Sequence, residues 1–350
     1  MVAMWLTGCI VHQFPEEPAV DPTLVKVHVL LHPAGEMTLY DNGNPMVDTK
    51  KAAFEPKEKF DVDTSKYIRR YIVEVQNKET QPQSIFRKAF VRSTGDTSAL
   101  MLDFSLHAGV YNIYAWQDYV DKATEEDKYY NTDRLDRIHI PSATDYVGST
   151  DLKDANAVSG VIDLSEFHNV YFGSKSCEFT LIRPMAKVVF VTTDINKFWY
   201  RKQKEIAQAA EVAQATDAEV KELAASINTV IRLVGYYPTG YNVFTDKPND
   251  AEMGYSYEAT PFLCERQVVL GFDYVFVGTS PTSVTASVML YDEEGTLINN
   301  AAEIQIPIER NKVTVIMDEF LTRRYTPGVG VDPNYDGEYN IPFAPKKGNN

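Results

Sequence analysis

Few residues in this 350-residue chain are of types that do chemistry, and spacing disposes of most of them. The six histidines, at positions 12, 28, 32, 107, 139 and 168, are scattered. His28 and His32 lie on the polar side of a predicted strand. At strand rise they are about 13 Å apart, too far for one metal ion, so they read as solvated histidines. Asp332-Pro333-Asn334-Tyr335-Asp336-Gly337 copies the first six positions of an EF-hand loop. Its twelfth position is Phe343, where a bidentate carboxylate belongs. The stretch therefore reads as an Asx-type turn, with a weak Ca²⁺ site as the alternative. No GxSxG elbow, HExxH, phosphate loop or dinucleotide fingerprint occurs. Nothing singles out a pair among the 49 acids for glycoside hydrolysis. We predict no catalytic residue, no metal site and no cofactor, and read the chain as a non-enzyme.

Three cysteines remain, Cys9, Cys177 and Cys264, which suits neither a disulfide framework nor paired CxxC zinc spacing. Cys177 and Cys264 lie beside predicted strands and read as buried thiols. Cys9 stands apart. Leu6-Thr7-Gly8-Cys9 resembles a lipobox: an apolar residue, two small residues, then the thiol that takes a diacylglycerol group. Acyl chains anchor at roughly 0.8 kcal/mol per buried methylene, and two chains hold where one does not. Only eight residues precede Cys9 and none is basic, so residues 1–9 are read as the remainder of a longer export signal. Residues 10–23, with Pro15, Pro18, Pro22 and three acids, read as an extended tether.

Charge supports this reading. Asp and Glu number 49 against 34 Lys and Arg, a net −15. Such a surface is repelled by phosphate backbones, which excludes nucleic acid as a partner, and it discourages adsorption to anionic lipid. No run of 18 apolar residues offers a transmembrane helix. A membrane contact would have to come through the lipid on Cys9.

From Leu24 onward the dominant hydrophobic period is two, the mark of half-buried strands. Val25, Val27, Val29 and Leu31 alternate with Lys26, His28 and His32; Tyr71, Val73 and Val75 with Arg70, Glu74 and Gln76; Leu100, Leu102, Phe104 and Leu106 with Met101, Asp103 and Ser105. His107-Ala108-Gly109 predicts a turn and Val110–Trp116 a returning strand, hence a hairpin. Asp118–Thr150 reads as a long polar connection. Strands are predicted again from Glu178, with Lys187–Thr193 buried on both faces, then at Thr229–Tyr236, Gln267–Gly278, Val284–Tyr291, Glu303–Ile308 and Lys312–Met317. Asp292-Glu293-Glu294-Gly295 reads as a hairpin turn. Residues 202–228 are helical in propensity, split by a capping box at Thr216. The expected organisation is all-β: sandwiches at 24–175 and 176–325, a helical insertion at 202–228 in the second, and a tail at 326–350.

Several phrases carry a family resemblance. They are Ala108-Gly109-Val110-Tyr111-Asn112 running into Ala115-Trp116-Gln117-Asp118-Tyr119-Val120, then Leu181-Ile182-Arg183-Pro184-Met185-Ala186-Lys187-Val188. Tyr237-Pro238-Thr239-Gly240-Tyr241-Asn242-Val243 and Ile308-Glu309-Arg310-Asn311-Lys312-Val313-Thr314 complete the series. With the lipobox and tether, their order resembles the fimbrillin-like lipoproteins of Bacteroidales, in particular the fimbrial anchor and minor-subunit branch. The resemblance implies tandem transthyretin-like Greek-key sandwiches and an outer-membrane, lipid-anchored, cell-surface position. It also implies fimbrial subunits as partners, joined by β-strand complementation. Arg69-Arg70 and Arg323-Arg324 border predicted strands and read as structural pairs, not as a cleavage site, which favours an anchor over a stalk subunit. Tyr339, Ile341 and Phe343 alternate as a short strand in the tail and could contact a subunit; a floppy C-terminus is the alternative. The competing function is a surface glycan-binding lipoprotein, with Tyr129, Tyr130 and Tyr146 as an exposed aromatic face.

Overall fold

The period-two runs form strands in the computed structural model, which describes residues 21–40, 62–79, 84–207, 215–264 and 267–324. In β1 (Val25–His32) the valines and Leu31 are buried while Lys26 and His28 face solvent, because successive Cβ atoms point to opposite faces. There follow β2 (Thr38–Leu39), β3 (Tyr67–Asn77), β4 (Ser84–Arg92), β5 (Leu100–Leu106), β6 (Val110–Asp121), β7 (Ile138–His139), β8 (Asn156–Asp163) and β9 (Ser174–Thr180). One sheet has the order β5-β1-β9, a second β4-β3-β6-β8. Only the β1–β9 pair is parallel. Between the sheets lies a core that includes Val27, Val29, Val73, Val75 and Ile113.

The second half repeats this plan. After β10 (Met185–Thr192) come helices α1 (Ile195–Ala207) and α2 (Asp217–Ala225), then β11 (Asn228–Val234). Four short strands follow: β12 (Tyr237–Pro238), β13 (Gly240–Asn242), β14 (Lys247–Pro248) and β15 (Ala251–Glu252). The remainder are β16 (Ser256–Ala259), β17 (Phe262–Cys264), β18 (Gln267–Phe276), β19 (Thr282–Tyr291), β20 (Leu297–Ile308) and β21 (Lys312–Asp318). Their sheets are β17-β18-β10-β21-β2 and β16-β11-β19-β20. Strands β1, β3, β4, β5, β6, β8 and β9 thus correspond to β10, β11, β16, β18, β19, β20 and β21, down to the parallel pairing of first with last. The molecule is all-β, with two sandwiches of one Greek-key order in tandem and helices inserted in the second. The central strand expected at Lys187–Thr193 runs Met185–Thr192, every residue of it buried, while Thr193 lies beyond it and is exposed. The expected change of half at 175/176 lies within β9.

Three local expectations are corrected. β5 and β6 do not form a hairpin: β5 pairs with β1, whereas β6 pairs with β3 and β8 in the other sheet. The chain turns a corner between layers there, with the Tyr111 hydroxyl donating to the His107 carbonyl at 2.9 Å. Secondly, Arg70, Glu74 and Gln76 are not on a solvent face but are 5–7 % exposed. The connection after β6 folds over them: Asp127 pairs with Arg70 at 2.7 Å, and the Thr132 carbonyl accepts from Arg87, which holds Glu74. Thirdly, the helical insertion begins at Ile195, not at 202. Phe198-Trp199-Tyr200 is strand-like in composition, yet Phe198 and Trp199 lie on a helix packed against the second core. The capping box is present: the Thr216 hydroxyl accepts from Glu219 N–H at 3.3 Å, and the Glu219 carboxylate accepts from Thr216 N–H at 2.8 Å.

Strand directions order the sandwiches along the molecule. β1 starts beside Pro22 and ends at His32, whose carbonyl accepts from Leu181 N–H at 2.9 Å. Pro184 leads into Met185, whose carbonyl accepts from Asn311 N–H at 2.9 Å. From that junction β10 and its parallel partner β21 run on to Thr192 and Asp318. At their far ends Asp194 accepts from the backbone N–H groups of Leu321 and Thr322. The described chain therefore begins, at Asp21, at the end of the first sandwich away from the junction, and its last described residue, Arg324, lies at the end of the second sandwich away from it.

Candidate functional site

Of the residues singled out in the sequence, Cys9, the 332–337 loop, Tyr339, Ile341 and Phe343 lie outside the described residues. His28 and His32 are exposed on β1, as expected, and face different partners. His28 Nδ1 lies 2.6 Å from Asp103 and His32 Nε2 lies 3.3 Å from Glu178. Cys177 and Cys264 sit in β9 and β17, half-buried and outside any disulfide. Among the described residues no group of three or more His, Cys, Asp or Glu is placed to hold a metal ion.

The aromatic face expected at Tyr129, Tyr130 and Tyr146 is overturned. Tyr130 is 2 % and Tyr146 7 % exposed, and only Tyr129 is partly open. The connection carrying them is polar in composition, yet Tyr130, Leu135, Ile138, Ile140, Tyr146 and Leu152 point inward. Tyr130 packs edge-on to Trp116 of β6, at a ring separation of 5.3 Å. Trp116 in turn contacts Tyr241 and Phe276 of the second sandwich. Tyr114 stacks on Phe244 at 3.9 Å. One face of the β3–β6 sheet thus packs on the first core and the other on the second.

Through this junction runs a seam of buried charge. A 3₁₀ turn, Asp151–Lys153, is capped by Thr150 and buries all three of its residues. Lys153 is ion-paired with Asp273 of β18 and donates to the Tyr146 hydroxyl at 2.9 Å. Tyr146 also donates to Asp273 and lies 2.8 Å from the Tyr237 hydroxyl. Lys187 of β10 pairs with Asp151 at 2.6 Å, and Tyr274 donates to the same carboxylate. Arg183 makes a two-point pair with Asp154 and donates to the Gly35 carbonyl at 3.1 Å and to Asn311. Each acid therefore comes from, or is met by, the opposite half of the chain.

Burial dominates the protonation chemistry of the seam. It lowers the Lys153 ammonium, with Asp273 acting in the opposite direction. It raises the phenols of Tyr130, Tyr146, Tyr237, Tyr257 and Tyr274 far above their ordinary value, with Asp273 or Asp151 adding to the effect. Lys153 is 2 % exposed and holds both Asp273 and Tyr146, so it braces the junction. Such pairs contribute geometry more than net stability. Sequence reasoning missed the seam, although a signal was present: Arg183 and Lys187 sit inside one apolar run and Asp273 inside another.

Beside the seam an open cleft of about 590 Å³ lies between residues 131–142 and 239–255. Its walls mix Asp133, Asp250 and Glu252 with Arg134 and Arg137. Tyr255 is buried beneath it, its phenol pushed up to about 12 by burial and by Glu252. Among the described residues that line it, Tyr255 is the one Tyr, Trp or Phe, and it is buried.

Residues 33–346 match the family of unknown function DUF6562. The chain belongs to this family. The match covers the whole seam and both sandwiches except β1. No curated protein matches the chain. Among solved structures, this DUF6562 member is similar to the fimbrial anchor protein Mfa2 from Porphyromonas gingivalis, at 8% identity over 79% of this chain and 81% of that one, TM-score 0.39. It is similar also to a candidate polysaccharide-binding protein (DUF1812) from Bacteroides thetaiotaomicron, at 10% identity over 79% of each chain, TM-score 0.41. A third is a candidate cell adhesion protein from Bacteroides eggerthii, at 12% identity over 87% of this chain and 90% of that one, TM-score 0.40.

Proposed function

We propose that the chain is a surface lipoprotein, acylated at Cys9 and held at the outer membrane, which acts as an anchor or accessory subunit in fimbria assembly. The observation that carries this reading is the polarity of the molecule. The described chain begins at Asp21, at the end of the first sandwich away from the junction, and its last described residue, Arg324, lies at the end of the second sandwich away from it. A part that must link a membrane to a filament needs its two attachments apart and a rigid body between them. The buried seam and shared aromatic contacts supply that rigidity. The lipobox-like order at Leu6-Thr7-Gly8-Cys9 supports the anchor, and the net −15 charge makes a lipid the more needed.

The partner contact in this reading is strand addition, with the alternating Tyr339, Ile341 and Phe343 offered to the next subunit. Work of this kind is done by backbone hydrogen bonds and apolar pockets, and it needs no catalytic group. Two experiments test the reading. Growth with labelled palmitate should mark the wild type and not Cys9→Ala. Deleting residues 327–350 should abolish fimbriae while the lipoprotein persists at the membrane; normal fimbriae on such cells would end the case for the tail.

A further inference from the structure

The end of the molecule where the tether enters carries an exposed apolar tip that neither the core nor the subunit contact uses. Between β8 and β9 the chain makes a turn whose crest is Val170-Tyr171-Phe172, with exposures of 43, 68 and 74 %. Three adjacent large apolar side chains left open are uncommon on a soluble surface, and they mark a contact site more than isolated exposed residues do.

The crest is held in place. Gly173 behind it is buried, and a Cβ there would fall within the ring of Phe167. Val170 N–H donates to the Phe167 carbonyl at 3.0 Å, and the Gly173 carbonyl accepts from Lys26 N–H at 2.9 Å. Phe172 adopts φ +57°, a left-handed conformation that is costly for a bulky residue. Its ring is thereby turned outward instead of collapsing on the sheet.

The position of the crest identifies its occupant. Phe172 N–H donates to the carbonyl of Pro22 at 2.9 Å, so the crest touches the point where the tether joins the body. Thirteen positions separate Cys9 from Pro22 (22 − 9), a reach of at most about 45 Å. A lipid on Cys9 is therefore attached to the body beside the crest, through a short length of chain that joins it there. An aromatic pair with one polar hydroxyl suits the headgroup–acyl boundary.

We propose that Val170, Tyr171 and Phe172 insert into the interfacial layer of the membrane that holds the Cys9 lipid, and so set the molecule upright on that membrane. The proposal rests on the lipoprotein reading above. The crest supplies a second attachment point beside the first, and one lipid-bound residue on a long tether becomes a two-point stance.

The test uses the acylated full chain reconstituted in phosphatidylcholine vesicles with brominated acyl chains, which quench tryptophan on contact. Phe172→Trp places a probe at the crest with an aromatic replacement, and Tyr200→Trp places a control on α1 at the far end. Brominated lipid should lower the emission added by Phe172→Trp by roughly half, as for a ring at the interface, and leave that added by Tyr200→Trp unchanged. An unquenched crest probe in protein that carries labelled palmitate would overturn the proposal while leaving the lipoprotein reading intact. A spectral shift of the crest probe that follows protein concentration and ignores bromine would overturn it in favour of self-association. Absence of palmitate from Cys9 would instead remove the lipoprotein reading itself.

Discussion

The two sandwiches share one strand order and differ in how that order is covered. In the first, β9 lies at a sheet edge among the described residues, with alternately exposed and half-buried side chains, and β4 at the edge of the other sheet is mostly exposed. In the second, the equivalent of β9 is β21, and its edge is taken by β2 from the first sandwich's own loop. The connection after β6 and the two helices then close over the second core. Open edges are a liability that proteins normally blunt. Leaving the β9 edge open on the first sandwich while β2 covers the equivalent β21 edge on the second makes the two sandwiches differ at that edge.

Alkaline pH should break the second core first and by the largest margin. Five buried phenols, Tyr130, Tyr146, Tyr237, Tyr257 and Tyr274, all belong to that core and stay protonated in the fold. A phenol raised in the folded state contributes stability that is complete below the unfolded value of about 10 and is lost as pH rises above it. Each costs about 1.4 kcal/mol per pH unit in that range, and the lowered Lys153 offsets at most one of them. Tyr71 and Tyr111 in the first core are raised less. Hydrogen exchange between about pH 9 and 11, spanning the ordinary phenol value, should show β10 and β18 opening before β1 and β5; the reverse order would sink the comparison.

Next in size is the seam. Asp273→Ala leaves Lys153 buried without its counter-ion and should cost about 3–5 kcal/mol in denaturant unfolding. Removing Glu166, the partner of exposed Lys175 in the first sandwich, should produce no measurable loss. Equal effects from the two would mean that the junction is wetter than its burial implies.

Overpacking gives a smaller contrast. At Gly148 a Cβ would land in the ring of Tyr257, which is buried and touches Tyr146. At Gly160 it would meet the ring of Phe179, which is half-buried on edge strand β9 and free to shift. Gly148→Ala should cost about 1–3 kcal/mol, with Gly160→Ala clearly less, both read by thermal melts. The smallest expected effect is local: Thr216→Ala removes one arm of the α2 capping box and should cost about 1 kcal/mol, seen as faster exchange confined to that helix.

Strands with one wet face were legible because alternation is a direct imprint of the pleat: β1 and β5 show it residue by residue. β10 was legible as an unbroken apolar run. β4, Ser84–Arg92, was not, since an exposed edge strand carrying Arg87, Lys88 and Arg92 has no dry face to alternate against. β8 was obscured by Gly160, and β6 was assigned a false partner because a turn in sequence cannot reveal a change of sheet. The connection after β6 misled most. Its polar residues spend themselves on one another and on the seam, so its composition resembled a surface loop while its tyrosines closed a core. Of the candidate site, the alternation placed His28 and His32 away from the core side of β1. The seam was missed because ion pairing across 120 residues, as between Lys153 and Asp273, leaves no local pattern.

The pairing of β2 with β21 has a consequence for how the protein comes into being. Lys312 reaches Thr38 across 274 positions of chain, so the edge of the second sandwich is sealed by a segment made near the start of synthesis. Contacts this distant in sequence slow the search for the native state. A chain emerging residue by residue must hold Thr38 and Leu39 unpaired until its last strand arrives. Assembly therefore finishes where it began, and a chain released before β21 would leave β2 without its partner strand.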